Sequence, residues 1–508
     1  MKKGNDDMEK LVVIKLGVSE ITFTKLNFTS SGFFEIVEQI KEPVRLTQDL
    51  SRDGYIKSVR IEETINILKI FRRIMDANGI THYFCYVDPI VATARNQIAF
   101  LDEIYKTVSL HFKVLNFDEQ ADALHLAVMH SLAIAKGLIC QIEDDSIQLV
   151  HFNRRSIANK VNLPIGALSL AEKFDSVKNV SERMDKMVDY VTAELRKNPW
   201  IFDLDEENEF VGIGKVFEAI GVLCQKSTHY PLEIAHNYEI NNQNFNSIYN
   251  LIRSLDVDKT KKLKGVSAMR ADVVVSGIAI VKAFFNNIIN RNVKISTCGE
   301  MYGLVAGSFL MQADKPLLDI LGYSLSAIQE FHPIGYSMGN IYDLAIILYK
   351  QLKVLHRLNR NYVKILRVAA SMCLCGKRIC FDGYEKKGFD VILGSNIYGA
   401  THREILLAAF VVASQNIDNF NLSDWIKYKD LVDDEDASAV KKLGVIIKLA
   451  TLLNITGSNA VKDVSCDILG DTVILKTTVE KDATLEISQA MSIATDFKKV
   501  FGKNLQVL

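Results

Sequence analysis

Residues 11–16 read LVVIKL, and residues 21–28 read ITFTKLNF. Both runs are rich in branched and aromatic residues, and the short connection at Gly17 lets the chain reverse, so together they predict a β-hairpin. A second pair of runs, residues 138–142 (LICQI) and 146–152 (SIQLVHF), follows about 125 residues later with the same order of strand, tight turn and strand. This repetition predicts a duplicated fold with a cleft between its two halves.

Helical spacing alternates with short strand-like runs between the two hairpins. The apolar periodicity predicts helices over residues 61–78, 99–108 and 119–134, and strands over residues 83–87 and 112–115. Alternation of strand and helix is typical of α/β domains. The first part of the chain is therefore predicted to be an α/β domain.

The pattern changes from about residue 310 onward, where strand signals become rare. Four segments have helical spacing: residues 341–358, 362–375, 403–416 and 439–453. They predict a separate all-helical domain. The last stretch contains a second kind of signal, which predicts a hairpin over residues 464–469 and 472–478, turned by Gly470-Asp471, and a helix over residues 488–500.

Length and composition place the chain among multidomain globular proteins. It has 508 residues, of which 48% are hydrophobic and 24% charged, with a formal net charge of −1. A net charge near zero creates no overall positive field that would attract nucleic acid. The first ten residues lack the apolar stretch of a secretory signal, and no run approaches the roughly 20 apolar residues of a membrane helix. Eight scattered cysteines favour reduced thiols and a cytoplasmic location, with neither membrane nor nucleic acid as a partner.

Several further segments follow one family's pattern in that family's order. They are residues 163–167 (LPIGA), 230–232 (YPL), 236–238 (HNY), 264–267 (KGVS), 270–272 (RAD), 395–399 (SNIYG) and 402–404 (HRE). They resemble the exopolyphosphatase / guanosine pentaphosphate phosphatase (Ppx/GppA) family. The resemblance implies an α/β fold with two ribonuclease-H-like (actin/hexokinase-like) domains, here residues 9–130 and 131–309. It also implies a helical His-Asp-type (HD-like) domain, residues 310–457, which we expect to be followed by a small α+β cap, residues 458–508.

The first phosphate loop of the family looks like Asp-Leu-Gly-Ser-Asn-Ser, and the matching residues 15–20 read KLGVSE. Only Gly17 is kept, while Lys15 replaces the aspartate on the metal side and Glu20 replaces a serine. A glutamate repels phosphate, and a lysine cannot hold Mg²⁺. Lys15 could substitute for the metal's charge, but a solvated or ion-paired strand lysine is the favoured interpretation.

The second phosphate loop looks like Asp-Ile-Gly-Gly-Gly-Ser-Thr-Glu in the family and reads QIEDDSIQ here, over residues 141–148. Ser146 is kept, but the three glycines that would admit a phosphate have become Glu143, Asp144 and Asp145. These carboxylates form either a divalent-cation site or a solvated turn, and we favour the solvated turn. Either arrangement excludes a phosphate anion.

The family's general base is the glutamate before the alanine in Ser-Gly-x-Glu-Glu-Ala, and the matching segment is NFDEQA, residues 116–121. That position is Gln120, and an amide cannot take a proton from water, a loss worth on the order of a hundred- to ten-thousand-fold in rate. The neighbouring Glu119 points about 100° away on a helix. Glu119 is therefore expected to serve the helix N-terminus instead.

Other positions of the family's site are also altered. Arg95 is the candidate for the family's phosphate-binding arginine, in a loop that is shorter here. The glycine-rich turn of the second half is reduced to Gly212-Ile213-Gly214, and the Gly-x-Arg-Glu-Gly turn reads GEMYG, residues 299–303. The His-Asp metal pair of the helical domain is replaced by Cys373-Leu374, and the retained residues 402–404 are expected to anchor helix packing through buried ion pairs.

Framework segments thus match while ligand segments do not, which predicts a pseudoenzyme that works by binding or by modulating a partner. The alternative is a divergent phosphohydrolase that releases terminal phosphate from polyphosphate or a nucleotide with Mg²⁺; the pseudoenzyme needs no cofactor. A third hypothesis is a sensor with a cationic or neutral ligand. The resemblance implies a homodimer or a heteromer with an active paralogue. The basic cluster Lys259, Lys261, Lys262 and Lys264 could contact polyphosphate, but solvated lysines are the simpler interpretation.

Overall fold

The computed structural model describes residues 8–47, 50–255, 257–260, 262–263, 271–288, 292–309, 317–333, 338–419 and 421–508. The chain divides into two compact units, residues 1–320 and 321–508. The finer division into four domains stays a prediction. The family-like segments at residues 264–267 and 270, together with Lys261, lie outside the described residues.

The first sheet of unit 1 has five strands in the order β3-β2-β1-β4-β5. The strands are β1 (Met8–Leu16), β2 (Glu20–Thr29), β3 (Phe34–Pro43), β4 (His82–Val87) and β5 (Phe112–Val114). β1 and β2 pair antiparallel with Leu16 opposite Ile21, which confirms the predicted hairpin. The edge strand β3 was not predicted, because most of its side chains face solvent and leave no apolar run.

The second sheet repeats the first. Its strands are β6 (Lys136–Ile142), β7 (Ile147–Asn153), β8 (Ser156–Leu163), β9 (Glu209–Ile213), β10 (Glu239–Ile240) and β11 (Val293–Ser296). The order β8-β7-β6-β9-β11 matches β3-β2-β1-β4-β5, with two antiparallel pairings followed by two parallel ones, and β10 adds to the far edge. The predicted duplication of the fold is confirmed.

Helices connect the strands of both sheets and cover them. The helices of unit 1 are α1 (Leu50–Asp53), α2 (Ser58–Ala77), α3 (Gln97–Val108), α4 (Phe117–Met129), α5 (Ala167–Lys173), α6 (Val180–Leu195), α7 (Lys215–Ser227), α8 (Asn242–Ser254), α9 (Val257–Thr260), α10 (Ala271–Asn287) and α11 (Glu300–Phe309). The predicted helix over residues 119–134 ends earlier, at Met129. The sequence contains no stop signal at this helix end, because no glycine or proline follows before Gly137.

Unit 2 is mostly helical. Its helices are α12 (Ile320–Phe331), which begins at the boundary, α13 (Met338–Gln351), α14 (Lys353–His356), α15 (Tyr362–Met372), α16 (Tyr384–Leu393), α17 (His402–Ala413), α18 (Leu422–Ile426), α19 (Asp436–Leu452), α20 (Thr484–Met491) and α21 (Ala494–Phe501). The predicted helices over residues 341–358 and 488–500 are each two helices in the structure.

A three-stranded sheet completes unit 2. The predicted hairpin is present as β12 (Val461–Leu469) and β13 (Thr472–Val479), and β14 (Asn504–Val507) adds a parallel strand beside β13. Buried residues of this sheet, such as Val464 and Leu475, belong to the same hydrophobic core as the helices of unit 2. In the parts of both units that the structure describes, no helix is both long and apolar enough to cross a membrane.

Candidate functional site

The candidate site lies in unit 1, where the carboxyl ends of the central strands of both sheets meet two helix N-termini. Lys15 lies near the end of β1, and Tyr86 lies near the end of β4. Gln120 belongs to the first turn of α4, Glu143 follows β6, and Glu300 begins α11. Pockets in such folds form where strand ends of two halves face each other. The duplicated topology therefore brings these side chains to one place.

Glu300 is the centre of this site. Its carboxylate forms an ion pair with Lys15 and accepts a hydrogen bond from Gln120 Nε2, at 2.6 Å from Oε2. The Tyr86 hydroxyl donates to Oε1 at 3.3 Å. Glu300 is 4% exposed and Gln120 2% exposed, so these are buried contacts. Three donors of different types therefore converge on one buried carboxylate. We call Lys15, Tyr86, Gln120 and Glu300 the Glu300 network.

The packing of α4 beside α11 positions the network. A Cβ atom added to Gly303 would overlap the backbone of Ala123, so the two helices touch there through their backbones. Gln120 and Glu300 each precede this contact by one helical turn, and Gly307 approaches Leu126 further along in the same direction. The helices thus run side by side in the same direction. The last glycine of the altered GEMYG turn keeps a structural purpose, because it allows this approach.

Lys15 is surrounded by acids. Besides Glu300, its Nζ lies 3.8 Å from Asp88 Oδ2 and 3.9 Å from Glu143 Oε1. Burial by itself lowers the pKa of Lys15, but the carboxylates of Glu300 and Glu143 outweigh it and raise the pKa well above its ordinary value. Lys15 is therefore a charged, ion-paired strand residue, as the favoured interpretation of the sequence expected.

The acidic turn after β6 is not the fully solvated turn that the sequence favoured, because Asp144 is buried and Glu143 and Asp145 are half-buried. Asp144 is only 7% exposed, and Asp145 accepts a hydrogen bond from Thr47 Oγ1 at 3.1 Å. Gln141 Nε2 donates to Glu143 Oε1 at 2.6 Å. The turn faces the first half of unit 1 because the second hairpin occupies the position of a phosphate loop, which points into the cleft. Hairpin tips are usually solvated, and this topological placement overrides that tendency.

Crowding of carboxylates changes the protonation of this turn. Burial raises the pKa of Glu143 to about 7; the charge of Lys15 opposes this rise, and the charges of Glu300 and Asp88 add to it. Burial also raises the pKa of Asp145 to about 6, although the Thr47 hydrogen bond works in the opposite direction. Both groups thus exchange protons near neutral pH.

The raised pKa of Glu143 predicts that Glu143→Gln stabilises the protein at high pH. The folded state holds this proton more tightly than the unfolded state, so the stabilisation is fully present below the ordinary pKa of 4.5 and is lost as the pH rises through about 7. We expect Glu143→Gln to raise the free energy of unfolding by roughly 1–3 kcal/mol at pH 8 and to change it little at pH 5.

Urea unfolding at both pH values measures this difference. Glu207→Gln is the matched control, because Glu207 is 85% exposed and its replacement should leave the pH dependence unchanged. An equal effect of Glu143→Gln at pH 5 and pH 8 would contradict the assignment.

A second ion pair crosses the cleft. Glu20, which occupies a serine position of the first loop, forms an ion pair with Lys215 at the start of α7. Gly214, which precedes Lys215, has φ = +100°, a backbone conformation that glycine adopts without strain. Glu20–Lys215, Thr47–Asp145 and the Glu300 network thus all connect the first half of unit 1 to the second.

The three residues predicted to bind phosphate make structural contacts. The Gly17 amide donates to the Glu20 carbonyl at 3.0 Å, and an added Cβ would lie 2.9 Å from that oxygen, so Gly17 closes the first hairpin. Ser146 closes the second hairpin, because its carbonyl accepts from the Glu143 amide at 2.9 Å. Arg95 is exposed and lies over the Tyr55 ring, 5.6 Å from its centroid. These contacts hold the local backbone and side chains in place, and phosphate binding by the three residues stays a prediction.

Glu119 points away from the network, as expected. Its carboxylate accepts from the Asn116 amide at 3.0 Å and pairs with Lys113 at 2.6 Å, while the Asn116 side chain accepts from the Glu119 amide. This is a capping box, which stabilises the start of a helix. Glu119 is therefore committed to the N-terminus of α4.

Sequence reasoning did not identify Glu300, Tyr86 or Thr47 as members of the site. Glu300 was visible only as one letter of an altered turn, and Tyr86 only as part of a strand. A signal did exist at Glu300, since an acid in the first turn of a helix directly after a retained glycine often binds a cation or a donor. Lys15, which forms the ion pair with Glu300, is too distant in sequence for this partnership to be recognised.

The residues of the site do not suit Mg²⁺. The position of the metal-side aspartate holds the charged ammonium of Lys15, which contacts the nearest carboxylates and would repel a cation. Across the residues that the structure describes, no group of three His, Cys, Asp or Glu side chains has a metal-binding arrangement. Cys373, at the predicted metal-pair position in unit 2, is buried, and its Sγ accepts from Thr451 Oγ1 at 3.8 Å.

The retained residues 402–404 anchor unit 2, as predicted. Arg403 donates to both oxygens of Asp436, at 2.7 and 2.6 Å, and the Asp436 side chain is fully buried. Tyr362 donates to the same carboxylate at 2.6 Å. Glu404 forms a capping box with Thr401 at the start of α17.

The basic cluster of unit 1 is described only in part. Lys259 and Lys262 are exposed, and Lys261 and Lys264 lie outside the described residues.

Two repeated sheets whose strand ends meet at one site define the class of proteins with the actin-like fold. The model of the Ppx/GppA phosphatase family matches residues 28–311, more than half of the chain. The chain therefore belongs to the Ppx/GppA phosphatase family.

Two curated proteins illustrate the distance to characterised relatives. The chain is 23% identical over 301 residues to the bifunctional 3-dehydroquinate synthase/phosphatase of Fusobacterium nucleatum, covering 57% of this chain and 44% of the relative. It is 21% identical over 333 residues to the guanosine-5'-triphosphate,3'-diphosphate pyrophosphatase of Pseudoalteromonas atlantica, covering 63% of each protein. The match thus spans less than two thirds of either relative.

Solved structures share the fold. The Ppx/GppA family member of Aquifex aeolicus has a TM-score of 0.53 at 19% identity, covering 60% of this chain and 99% of the other. An exopolyphosphatase from Cytophaga hutchinsonii has a TM-score of 0.54 at 18% identity, covering 59% of this chain and 98% of the other. At these identities the likeness establishes the actin-like fold alone.

Proposed function

We propose that this protein is a non-catalytic member of the Ppx/GppA family that acts by binding or by modulating a partner. The observation that carries the proposal is the hydrogen bond from Gln120 Nε2 to Glu300 Oε2 at 2.6 Å. The family position of the general base holds a neutral amide, and its donor group is already bound to a buried carboxylate. Activation of water by this residue is therefore excluded.

Electrostatics supports the same conclusion. Phosphate hydrolysis needs positive charge or donors directed at the developing negative charge. Here Lys15, Tyr86 and Gln120 direct their donors at Glu300 instead, and Asp88 and Glu143 lie close to Lys15. A polyphosphate chain or a nucleotide phosphate would enter a site lined by carboxylates. Repulsion there disfavours both the substrate and the transition state.

The proposal needs neither a metal nor an organic cofactor. We propose a cytoplasmic protein that forms a homodimer or pairs with an active paralogue, with an HD-like helical domain and a small α+β cap in unit 2. Neither nucleic acid nor a membrane is proposed as a partner. A polyphosphate or nucleotide ligand would have to bind outside the Glu300 network.

Release of orthophosphate tests the loss of catalysis. Purified protein is incubated with long-chain polyphosphate or guanosine pentaphosphate and Mg²⁺ or Mn²⁺, and we expect a rate equal to that of buffer. Turnover that Glu119→Gln abolishes would contradict the proposal, because it would identify Glu119 as a displaced base. A change in kcat of an active Ppx/GppA enzyme from the same organism on addition of this protein would support modulation.

A divergent phosphohydrolase is the second candidate, and Glu143 is the observation that favours it. A cleft glutamate whose pKa is raised to about 7, with 30% of its side chain exposed, matches the requirements of a general base at neutral pH. The same phosphate assay separates the candidates. Activity that Glu143→Gln removes while Glu207→Gln preserves it would establish the second candidate and exclude the first.

A further inference from the structure

The donors around Glu300 have the arrangement of an anion-binding site. Lys15 and Tyr86 contact one carboxylate oxygen, and Gln120 contacts the other. Each donor comes from a different element: Lys15 from β1, Tyr86 from β4 and Gln120 from α4. Convergence of an ammonium, a hydroxyl and an amide on the two oxygens of one carboxylate is how proteins bind a free carboxylate ligand.

The site is largely buried, and only the Lys15 side chain, which is 20% exposed, reaches solvent. Tyr86 is fully buried, Gln120 is 2% exposed and Glu300 is 4% exposed. Buried donors without a partner cost free energy, so this set requires an anionic or strongly accepting occupant in the folded protein. The occupant is tethered, because Glu300 is supplied by α11 of the second half while the donors belong to the first half.

We infer that Lys15, Tyr86 and Gln120 form a carboxylate-binding site whose ligand in this protein is its own Glu300. Binding of this internal ligand holds the two halves of unit 1 together. It also keeps external anions out, since a tethered group competes at a high effective concentration. The inference concerns what occupies the cleft of the proposed non-catalytic protein, and it therefore builds on the proposed function.

The surroundings restrict the ligand to a single monovalent carboxylate group. Asp88 and Glu143 lie 3.8 and 3.9 Å from the Lys15 ammonium, and their charges disfavour a second negative charge. Truncation of Glu300 to alanine removes Cγ, Cδ and both carboxylate oxygens. Acetate has the same set of heavy atoms, so it fits the space that the truncation leaves, whereas a doubly charged phosphate is larger and carries more charge.

Chemical rescue of Glu300→Ala tests this inference. The thermal midpoint of unfolding is measured in sodium acetate, sodium formate and sodium chloride at equal ionic strength. We expect acetate and formate to stabilise Glu300→Ala relative to chloride, and to leave the wild type unchanged because its site is filled. With acetate at roughly ten times its dissociation constant, linkage gives roughly a tenfold rise in the folding equilibrium constant.

The double variant Lys15→Met/Glu300→Ala is the matched control, since it lacks the ammonium and should lose the acetate response. An acetate response equal in wild type and Glu300→Ala, or one that survives in the double variant, would overturn the inference. If Glu300→Ala is unfolded in chloride, refolding from urea into acetate should recover folded protein, and no recovery in either salt counts against the site. These outcomes are independent of phosphate release, so failure of the inference and failure of the proposed function are distinguishable.

Discussion

Replacement of Lys15 by methionine is expected to destabilise unit 1 by about 3–5 kcal/mol, the cost of removing one partner of a buried ion pair. Methionine keeps the length and apolar body of the side chain but leaves the Glu300 carboxylate, 4% exposed, without its cation. Asp88 and Glu143 then repel Glu300 without compensation. Tyr86 and Gln120 still donate hydrogen bonds to Glu300, so we expect the loss of stability to lie in the lower part of this range.

Urea unfolding measures this effect if each unit is observed separately. The chain has two tryptophans, Trp200 in unit 1 and Trp425 in unit 2, so a Trp425→Phe background reports unit 1 by fluorescence. Lys113→Met is the matched control, because Lys113 pairs with Glu119 at the surface and such pairs contribute about 1 kcal/mol or less. Equal losses for Lys15→Met and Lys113→Met would show that the buried pair has no special weight.

The second large effect is expected in unit 2, where Arg403→Met should cost about 3 kcal/mol or more. Arg403 binds both oxygens of Asp436, whose side chain is fully buried, and methionine leaves that carboxylate without a cation. Tyr362 and the Asp433 amide continue to donate to Asp436, which limits the loss.

Fluorescence of Trp425 in a Trp200→Phe background reports this unfolding. Lys427→Met is the control, since Lys427 pairs with Asp424 in the same unit but both side chains are largely exposed. Adding Asp436→Asn to Arg403→Met should recover part of the stability, because the buried charge is then gone. A double variant less stable than Arg403→Met alone would contradict this explanation.

The repeated sheets could be predicted from sequence because their signals are local. The apolar runs around Gly17 and around residues 143–145 define both hairpins without reference to the rest of the chain. The edge strand β3 carries few buried side chains, so no alternation of apolar and polar residues marks it. Local patterns reveal a strand only where one face is buried.

The changes at the family's motif positions could also be read from the sequence, but the network that joins these positions could not. Gln120 and Lys15 stand at positions that family motifs define, so each change is visible by itself. Their connection through Glu300 depends on contacts between residues 180 or more positions apart, as for Gln120 and Glu300. The buried state of Asp144 has the same origin, because the facing half determines whether a turn is solvated. Single-sequence reasoning has no access to such pairings.

Lys15 and Glu300 form one buried interaction at the place where the family's motifs predict a catalytic centre. A double-mutant cycle of Lys15→Met and Glu300→Gln tests this interaction most directly. The free energy of unfolding of unit 1 is measured with urea at about pH 7.5. We expect a coupling free energy of roughly 2–3 kcal/mol, with the double variant more stable than the sum of the single losses predicts. Additive losses, with a coupling near zero, would contradict the account.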